Sequence, residues 1–174
     1  MLKEASGETL EVGIGTGKNI PYYPEGVVLT GIDLSENMIN KAHKRSNKSS
    51  IPAHLRVMDA QHLQFGDNSF DTVVTSFVFC TVPDPVQGLQ EIMRVCRNDG
   101  KILMMEHVRS DHKVMGRIMD VLNPVSRSIL GDNMNRRMYL NMLEAGFKEE
   151  NIEVENFWFD IVRHFRIRNI KHDI

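Results

Sequence analysis

The 174-residue sequence has little cysteine, no surplus of positive charge and no long uncharged run, and each scarcity closes off a class of function. Cys80 and Cys96 are its two cysteines. They form no closely spaced metal or redox pair, so they read as small core residues, and neither a disulfide nor a metal site is expected. With 21 basic and 23 acidic residues the formal charge is −2, which offers no field for a phosphate backbone, so nucleic acid is not an expected partner. The longest uncharged run, Thr72 to Pro83, is too short to span a bilayer. No apolar stretch precedes the first motif, so no secretory signal is expected and the cytoplasm is the expected compartment.

What is present is the composition of a soluble globular chain, 41% apolar and 25% charged, long enough for one core and little more. Residues 1–174 therefore read as a single domain. Short segments rich in β-branched residues alternate with segments of helical period, which predicts an α/β fold built from parallel crossovers. Seven strands are predicted: Thr9 to Val12, Val27 to Asp33, His54 to Asp59, Phe70 to Phe77, Lys101 to Val108, Ile152 to Phe159 and Ile161 to Ile167. Ser35 is placed to cap a helix carrying Met38, Ile39 and Ala42. Pro83 and Pro85 open a second, with Leu89, Ile92, Met93 and Cys96 on one face and Asn98-Asp99-Gly100 closing it. The last two strands are separated by little more than Asp160, so they form a hairpin and end the sheet antiparallel. Between the fifth and sixth strands, residues 111–146 read as an insertion of two helices, broken near Pro124 and ended by Gly146.

The first strand ends in Glu11 and runs into Gly13, Gly15 and Gly17, which let the backbone turn sharply against a ligand, with helix N-terminal amides expected to follow. A dinucleotide fingerprint needs glycine where Lys18 stands, so the nicotinamide oxidoreductase reading weakens. A phosphate-cradling P-loop needs glycine at Val12 and a hydroxyl residue at Asn19, and that reading fails. Asp33 ends the second strand twenty residues after Gly13, where a carboxylate accepts both ribose hydroxyls. Asp59-Ala60 ends the third strand and puts a further carboxylate into the same crevice, within reach of an adenine amino group. Singly, each of these is as well explained as a turn or a helix cap. Together, at three successive strand ends, they point to an adenosine ligand.

With these residues assembled, the chain resembles the class I S-adenosylmethionine-dependent methyltransferases, in the branch of ubiquinone/menaquinone C-methyltransferases, phospholipid N-methyltransferases and small-molecule thiol methyltransferases. The resemblance rests on Leu10 to Gly17, Gly31-Ile32-Asp33-Leu34-Ser35, Asp59-Ala60, Asn68 to Val74 and Glu91 to Arg97. It implies a seven-stranded, mostly parallel Rossmann-like sheet with a reversed last strand and helices on both faces. It further implies S-adenosylmethionine as cofactor, with S-adenosylhomocysteine as product. By the same resemblance, Glu11 and Gly13, Gly15 and Gly17 face the methionine part, Asp33 the ribose, Leu34 and Ala60 the adenine, and Ser76 and Phe77 the rim near the sulfonium. The family usually carries a helical segment before the first strand, whereas about seven residues precede it here.

Methyl transfer from a sulfonium needs alignment and exclusion of water more than a fixed triad. If the acceptor is an amine or thiol, His107 is the candidate base, with a histidine satisfied in the sheet end as the alternative and Glu106 equally able to be the polar partner. The acceptor is expected to be small or lipid-like, with residues 111–146 forming a cap over it. The methionines and isoleucines of that segment suit an apolar pocket, or a membrane contact through residues 111–130 with Lys113, Arg117 and Arg127, or plain packing on the core. A cofactor-binding module without activity and a homo-oligomer both stay open.

Overall fold

The computed structural model describes residues 1–110, 112, 114, 116, 117, 119, 121, 137–157 and 161–171. Seven strands form one sheet in the order β3-β2-β1-β4-β5-β7-β6. They are β1 (Glu8–Val12), β2 (Val28–Asp33), β3 (Ala53–Val57), β4 (Phe70–Ser76), β5 (Cys96–His107), β6 (Ile152–Phe157) and β7 (Val162–Asn169). The first five run parallel. β7 pairs antiparallel with both β5 and β6, so the final strand is the reversed one, inserted between its hairpin partner and β5. Sheet order turns back at β1, which lies between β2 and β4. In an open α/β sheet this leaves a crevice beyond the carboxyl ends of the strands.

The α-helices that cover the sheet include α1 (Glu36–Ser46), α2 (Pro85–Val95) and α3 (Met138–Ala145). Ser35 caps α1 by accepting the Met38 amide, as expected of a serine ahead of an amphipathic run. On one face of the sheet, Leu10, Val12, Val73, Ile102, Met104 and Phe165 pack with Leu89 and Ile92 of α2 and Met138 and Met142 of α3. On the other, Leu29, Val74 and Leu103 pack with Ile14, Ile20, Tyr23, and Ile39 and Ala42 of α1. Gly146, at φ 106°, ends α3, where the left-handed conformation is open to glycine without strain.

Two expectations are modified. No α-helix follows the glycine loop; a single 3-10 turn, Ile20–Tyr22, stands there, because Pro21 and Pro24 leave too short a stretch between them for helix propagation. Helix α2 ends at Val95, ahead of Asn98-Asp99-Gly100. The side-chain amide of Asn169, arriving on β7, lies 3.0 to 3.1 Å from the carbonyls of Met93, Cys96 and Arg97 and satisfies them as a helix C-terminus requires. Asp99, at φ 63°, then forms the tight turn, with Arg168 ion-paired to its carboxylate. Of the expected first helix of the insertion, residues 114, 116, 117, 119 and 121 are helical; the rest of it, the break near Pro124 and the end of strand six beyond Phe157 lie outside the described residues.

Candidate functional site

The carboxyl ends of β1, β2 and β3 enclose a cleft of about 120 Å3 lined by Val12, Gly13, Asp33, Leu34, Met58, Asp59, Ala60 and, from across β4, Val78, Thr81, Val82 and Pro83. A whole drug-sized ligand needs roughly 300–1,000 Å3, so this slot suits one flat part of a ligand and leaves the remainder at its rim. A larger hollow, about 610 Å3, lies at the other end of β5 between Glu4, Asp99, Lys101, Arg166 and Arg168. It touches none of the residues singled out above, and its size is that of open, charged surface.

Each wall of the cleft has a traceable cause. Gly13 has φ 69°, and a Cβ there would fall 2.3 Å from a Val78 methyl, so glycine is required both by conformation and by the approach of the β4 loop. Gly17 similarly lets the loop lie against α1, where a Cβ would meet the Ala42 backbone at 3.2 Å. Arg45 of α1 holds that loop by donating to the carbonyl and hydroxyl of Thr16 at 2.8 and 3.0 Å. The Asp33 oxygens accept the Gly15 and Ser35 amides, each at 2.9 Å. Those bonds aim the carboxylate into the crevice and leave its remaining lone pairs for further donors.

Asp59 accepts the Gln61 backbone amide at 2.9 Å and its side-chain amide at 3.1 Å. The backbone bond above all holds its pKa below the ordinary carboxylate value, so it is an ionised acceptor. Gln61 in turn takes the Asp84 amide at the start of α2 at 3.0 Å. Farther along the same loop, Glu91 accepts the Leu63 amide at 2.7 Å, and Arg94 reaches Glu91, Asp67 and the carbonyls of Leu63 and Phe65 at 2.7 to 2.9 Å. The Glu91-to-Arg97 motif is thus the clamp that holds the segment after β3 in place. Arg97 continues it by pairing with Asp71, which also accepts the Glu8 amide.

Of the predicted site residues, Gly13, Asp33, Leu34, Asp59 and Ala60 come together at the cleft. Leu34 is 71% exposed, an apolar side chain standing open at the mouth. Glu11 lies beneath the loop, 1% exposed, with Asn19 and Tyr23 donating to its two oxygens at 2.7 and 3.1 Å. Burial pushes its pKa up to about 7, against the opposing effect of those bonds. Gly15 contributes its amide to Asp33 rather than a cleft wall. Ser76 ends β4 opposite Met105, and Phe77 sits beyond it with its ring against that of His107, centroids 4.5 Å apart. Sequence reasoning passed over Met58, Val78, Thr81, Val82 and Pro83. For the last four, the signal was the uncharged run Thr72 to Pro83, which continues past the predicted strand end at Phe77. Glu106 was weighed only as a polar partner beside His107; a lone acid inside the apolar run Ile102 to Val108 is the mark of its burial.

Glu106 is 0% exposed. It accepts the Thr75 hydroxyl at 2.9 Å and the Val78 and Phe79 amides at 3.1 Å, and burial raises its pKa to about 7. Strand alternation turns it away from His107, so the two are not partners. Cys80 and Cys96 are both buried, and burial pushes the Cys96 thiol up to about 12, which makes it inert as a nucleophile.

The family described as a methyltransferase domain matches residues 10–104. A phosphatidylethanolamine N-methyltransferase of Cereibacter sphaeroides is 40% identical over 107 residues, covering 60% of this chain and 53% of that protein. A thiol S-methyltransferase of Mus musculus is 31% identical over 159 residues, covering 87% of this chain and 65% of that protein. The chain thus spans about half to two thirds of the length of these curated relatives. Among solved structures, phosphoethanolamine N-methyltransferase 2 of Haemonchus contortus, in complex with S-adenosyl-L-methionine, superposes with a TM-score of 0.68 at 23% identity, over 88% of this chain and 35% of that one. That likeness is one of fold.

Proposed function

This chain belongs to the class I S-adenosylmethionine-dependent methyltransferases, and from that premise we propose that it transfers a methyl group from S-adenosylmethionine to a small or lipid-like acceptor, releasing S-adenosylhomocysteine. The observation that carries this reading is the convergence of Asp33 and Asp59 on one apolar slot at the switch point of the sheet. Asp33 has lone pairs to spare for two ribose hydroxyls, and ionised Asp59 suits an adenine amino group. Leu34, Met58, Ala60 and Val82 give a flat base its apolar walls, and the exposure of Leu34 is what such a base would cover.

S-adenosylmethionine supplies, when bound, a methyl group activated on a sulfonium. The chain's part is to hold the reactants in line and dry. The loop Gly13, Gly15 and Gly17 takes the methionine end, and Glu11, held by Asn19 and Tyr23, keeps that loop's base rigid. Ser76 and Phe77 form the rim on the acceptor side. His107, next to Phe77, is the group to take a proton from an amine or thiol acceptor. The relatives named for phosphatidylethanolamine and thiol acceptors support both chemistries.

Residues 111–146 serve in this proposal as the cap of one methyltransferase domain, closing over an apolar acceptor. Contact with a membrane through residues 111–130, a cytoplasmic location and self-association belong to the same reading. Among the described residues no helix is long and apolar enough to cross a membrane.

Calorimetry with S-adenosylhomocysteine is the first test, with micromolar binding expected; failure to bind would overturn the reading. Methyl transfer from labelled S-adenosylmethionine to phosphatidylethanolamine vesicles, dithiothreitol and a quinol then identifies the acceptor atom. Binding without turnover across that panel would leave a cofactor-binding module.

A further inference from the structure

Three consecutive residues of β5 grip the loop that follows β4. Met105 accepts the Phe77 amide through its carbonyl at 2.8 Å. On one face of the sheet Glu106 takes the Thr75 hydroxyl and the amides of Val78 and Phe79. On the opposite face His107 lies against the Phe77 ring, the planes tilted by 36°. Inside this grip Phe77 has φ 57°, the left-handed region that residues with a side chain avoid unless their surroundings enforce it.

Two successive amides converging on one carboxylate form the kind of concave donor site that binds anions, and the occupant here is the protein's own Glu106. The dependence is mutual. A fully buried carboxylate is expelled or neutralised unless donors meet it, and the strained loop needs that carboxylate to keep its amides turned inward. The same loop supplies Val78, Thr81, Val82 and Pro83 to the cleft, while Phe77, 41% exposed, faces the rim.

We propose that Glu106 is a positioning residue whose carboxylate, by holding the Val78 and Phe79 amides, keeps Phe77 left-handed and its ring on His107, and so sets the acceptor-side wall of the site. The location of Phe77 and His107 beside the acceptor rests on the methyl-transfer reading; the grip itself rests on the geometry alone. The gripped loop also gives the cleft Val78 and Val82, but the polar anchors for the cofactor, Asp33 at the end of β2 and Asp59 just after β3, do not touch Glu106, so loosening the loop should lower cofactor affinity less than it disturbs the acceptor side.

The test is a cycle of wild type, Glu106→Gln, Phe77→Gly and the double variant, followed by thermal unfolding, amide hydrogen exchange and S-adenosylhomocysteine calorimetry. A glutamine side chain offers one oxygen where two are used, so E106Q should lower protection of the Val78 and Phe79 amides at least tenfold. Its S-adenosylhomocysteine affinity should fall by less than tenfold, because Asp33 and Asp59 stay in place while the Val78 and Val82 wall loosens. Glycine adopts the left-handed conformation unaided, so the fall in melting temperature caused by E106Q should at least halve in the F77G background. With dithiothreitol as probe acceptor, kcat should fall tenfold or more, and by a larger factor than the KM for S-adenosylmethionine rises.

An equal fall in both backgrounds would overturn the proposal, as would protection lost evenly along β4 and β5. Cofactor affinity falling in step with loop protection would overturn the assignment to the acceptor side. If E106Q does not fold, Glu106→Asp, which keeps the charge and withdraws it by one methylene, enters the same cycle. Failure of the wild type to bind S-adenosylhomocysteine would sink the methyl-transfer reading and leave the unfolding cycle to decide the grip.

Discussion

The ends of β1 to β3 and the ends of β4 and β5 each bury one carboxylate, and the two are held in different ways. Glu11 is held by side chains of its own loop, Asn19 and Tyr23. Glu106 is held mainly by backbone amides of a loop nearly thirty residues away in sequence. Both are pushed up to about 7 by burial. The first therefore stabilises a short-range turn whose glycines already favour it, and the second forces a long-range loop into a conformation that Phe77 disfavours. In the proposed reading, the local anchor belongs to the cofactor side, and the distant one to an acceptor side whose shape depends on the packing of β5 against β4.

The largest effects should fall on the β1 to β3 side. Asp33→Ala removes the acceptor of the Gly15 and Ser35 amides along with both proposed ribose bonds; at about 1.5–3 kcal/mol per charge-assisted bond, S-adenosylhomocysteine affinity should fall a hundredfold or more by calorimetry. Affinity preserved in D33A would break the division between the two sides.

The buried carboxylates set the pH dependence of stability. Each has a folded pKa of about 7 above an ordinary value of 4.5, so the folded state binds the proton more tightly than the unfolded one. That contribution is fully present below pH 4.5 and lost as pH rises toward 7, about 3 kcal/mol for each group. Urea unfolding at pH 5 and pH 8 should show the decline, and Glu11→Gln should remove about half of it. An unchanged slope in E11Q would mean that the two carboxylates are not equivalent in burial.

Arg94→Ala cuts the clamp between α2 and the segment after β3. It leaves Glu91 and two carbonyls short of their donor, at a cost of about 2–3 kcal/mol, measurable by urea denaturation. Its weakening of S-adenosylhomocysteine binding should exceed that of E106Q, because Asp59 heads the clamped segment. Leu34→Ala should be mildest: little change in melting temperature, since the side chain is 71% exposed, and about a tenfold loss of affinity, the worth of covering one leucine at about 1.5 kcal/mol. A loss of stability in L34A would mean that the side chain packs against the fold rather than a ligand.

The strands, the reversed hairpin and the β1 to β3 end of the site were legible in the residues because their causes are local. Segments rich in β-branched residues mark strands, Ser35 caps one helix and Pro85 opens the next, and a carboxylate ending each of two adjacent strands declares a shared crevice. The end of α2 was not legible, because the group that closes it, Asn169, lies more than seventy residues away in sequence. The cleft walls among Val78 to Pro83 were hidden for a related reason: the predicted strand stops at Phe77, and nothing local shows that the left-handed turn there brings the following residues to the ends of distant strands.

Sequence alone determined the family, the order of elements and the carboxylates Asp33 and Asp59 that meet at the cleft, since each follows from residues close together in the chain. Only the tertiary structure decided that Glu11 is held by Asn19 and Tyr23 and that Glu106 meets the Thr75 hydroxyl and the Val78 and Phe79 amides. A buried charge takes its role from whichever donors the fold brings to it, and for Glu106 those donors come from another strand.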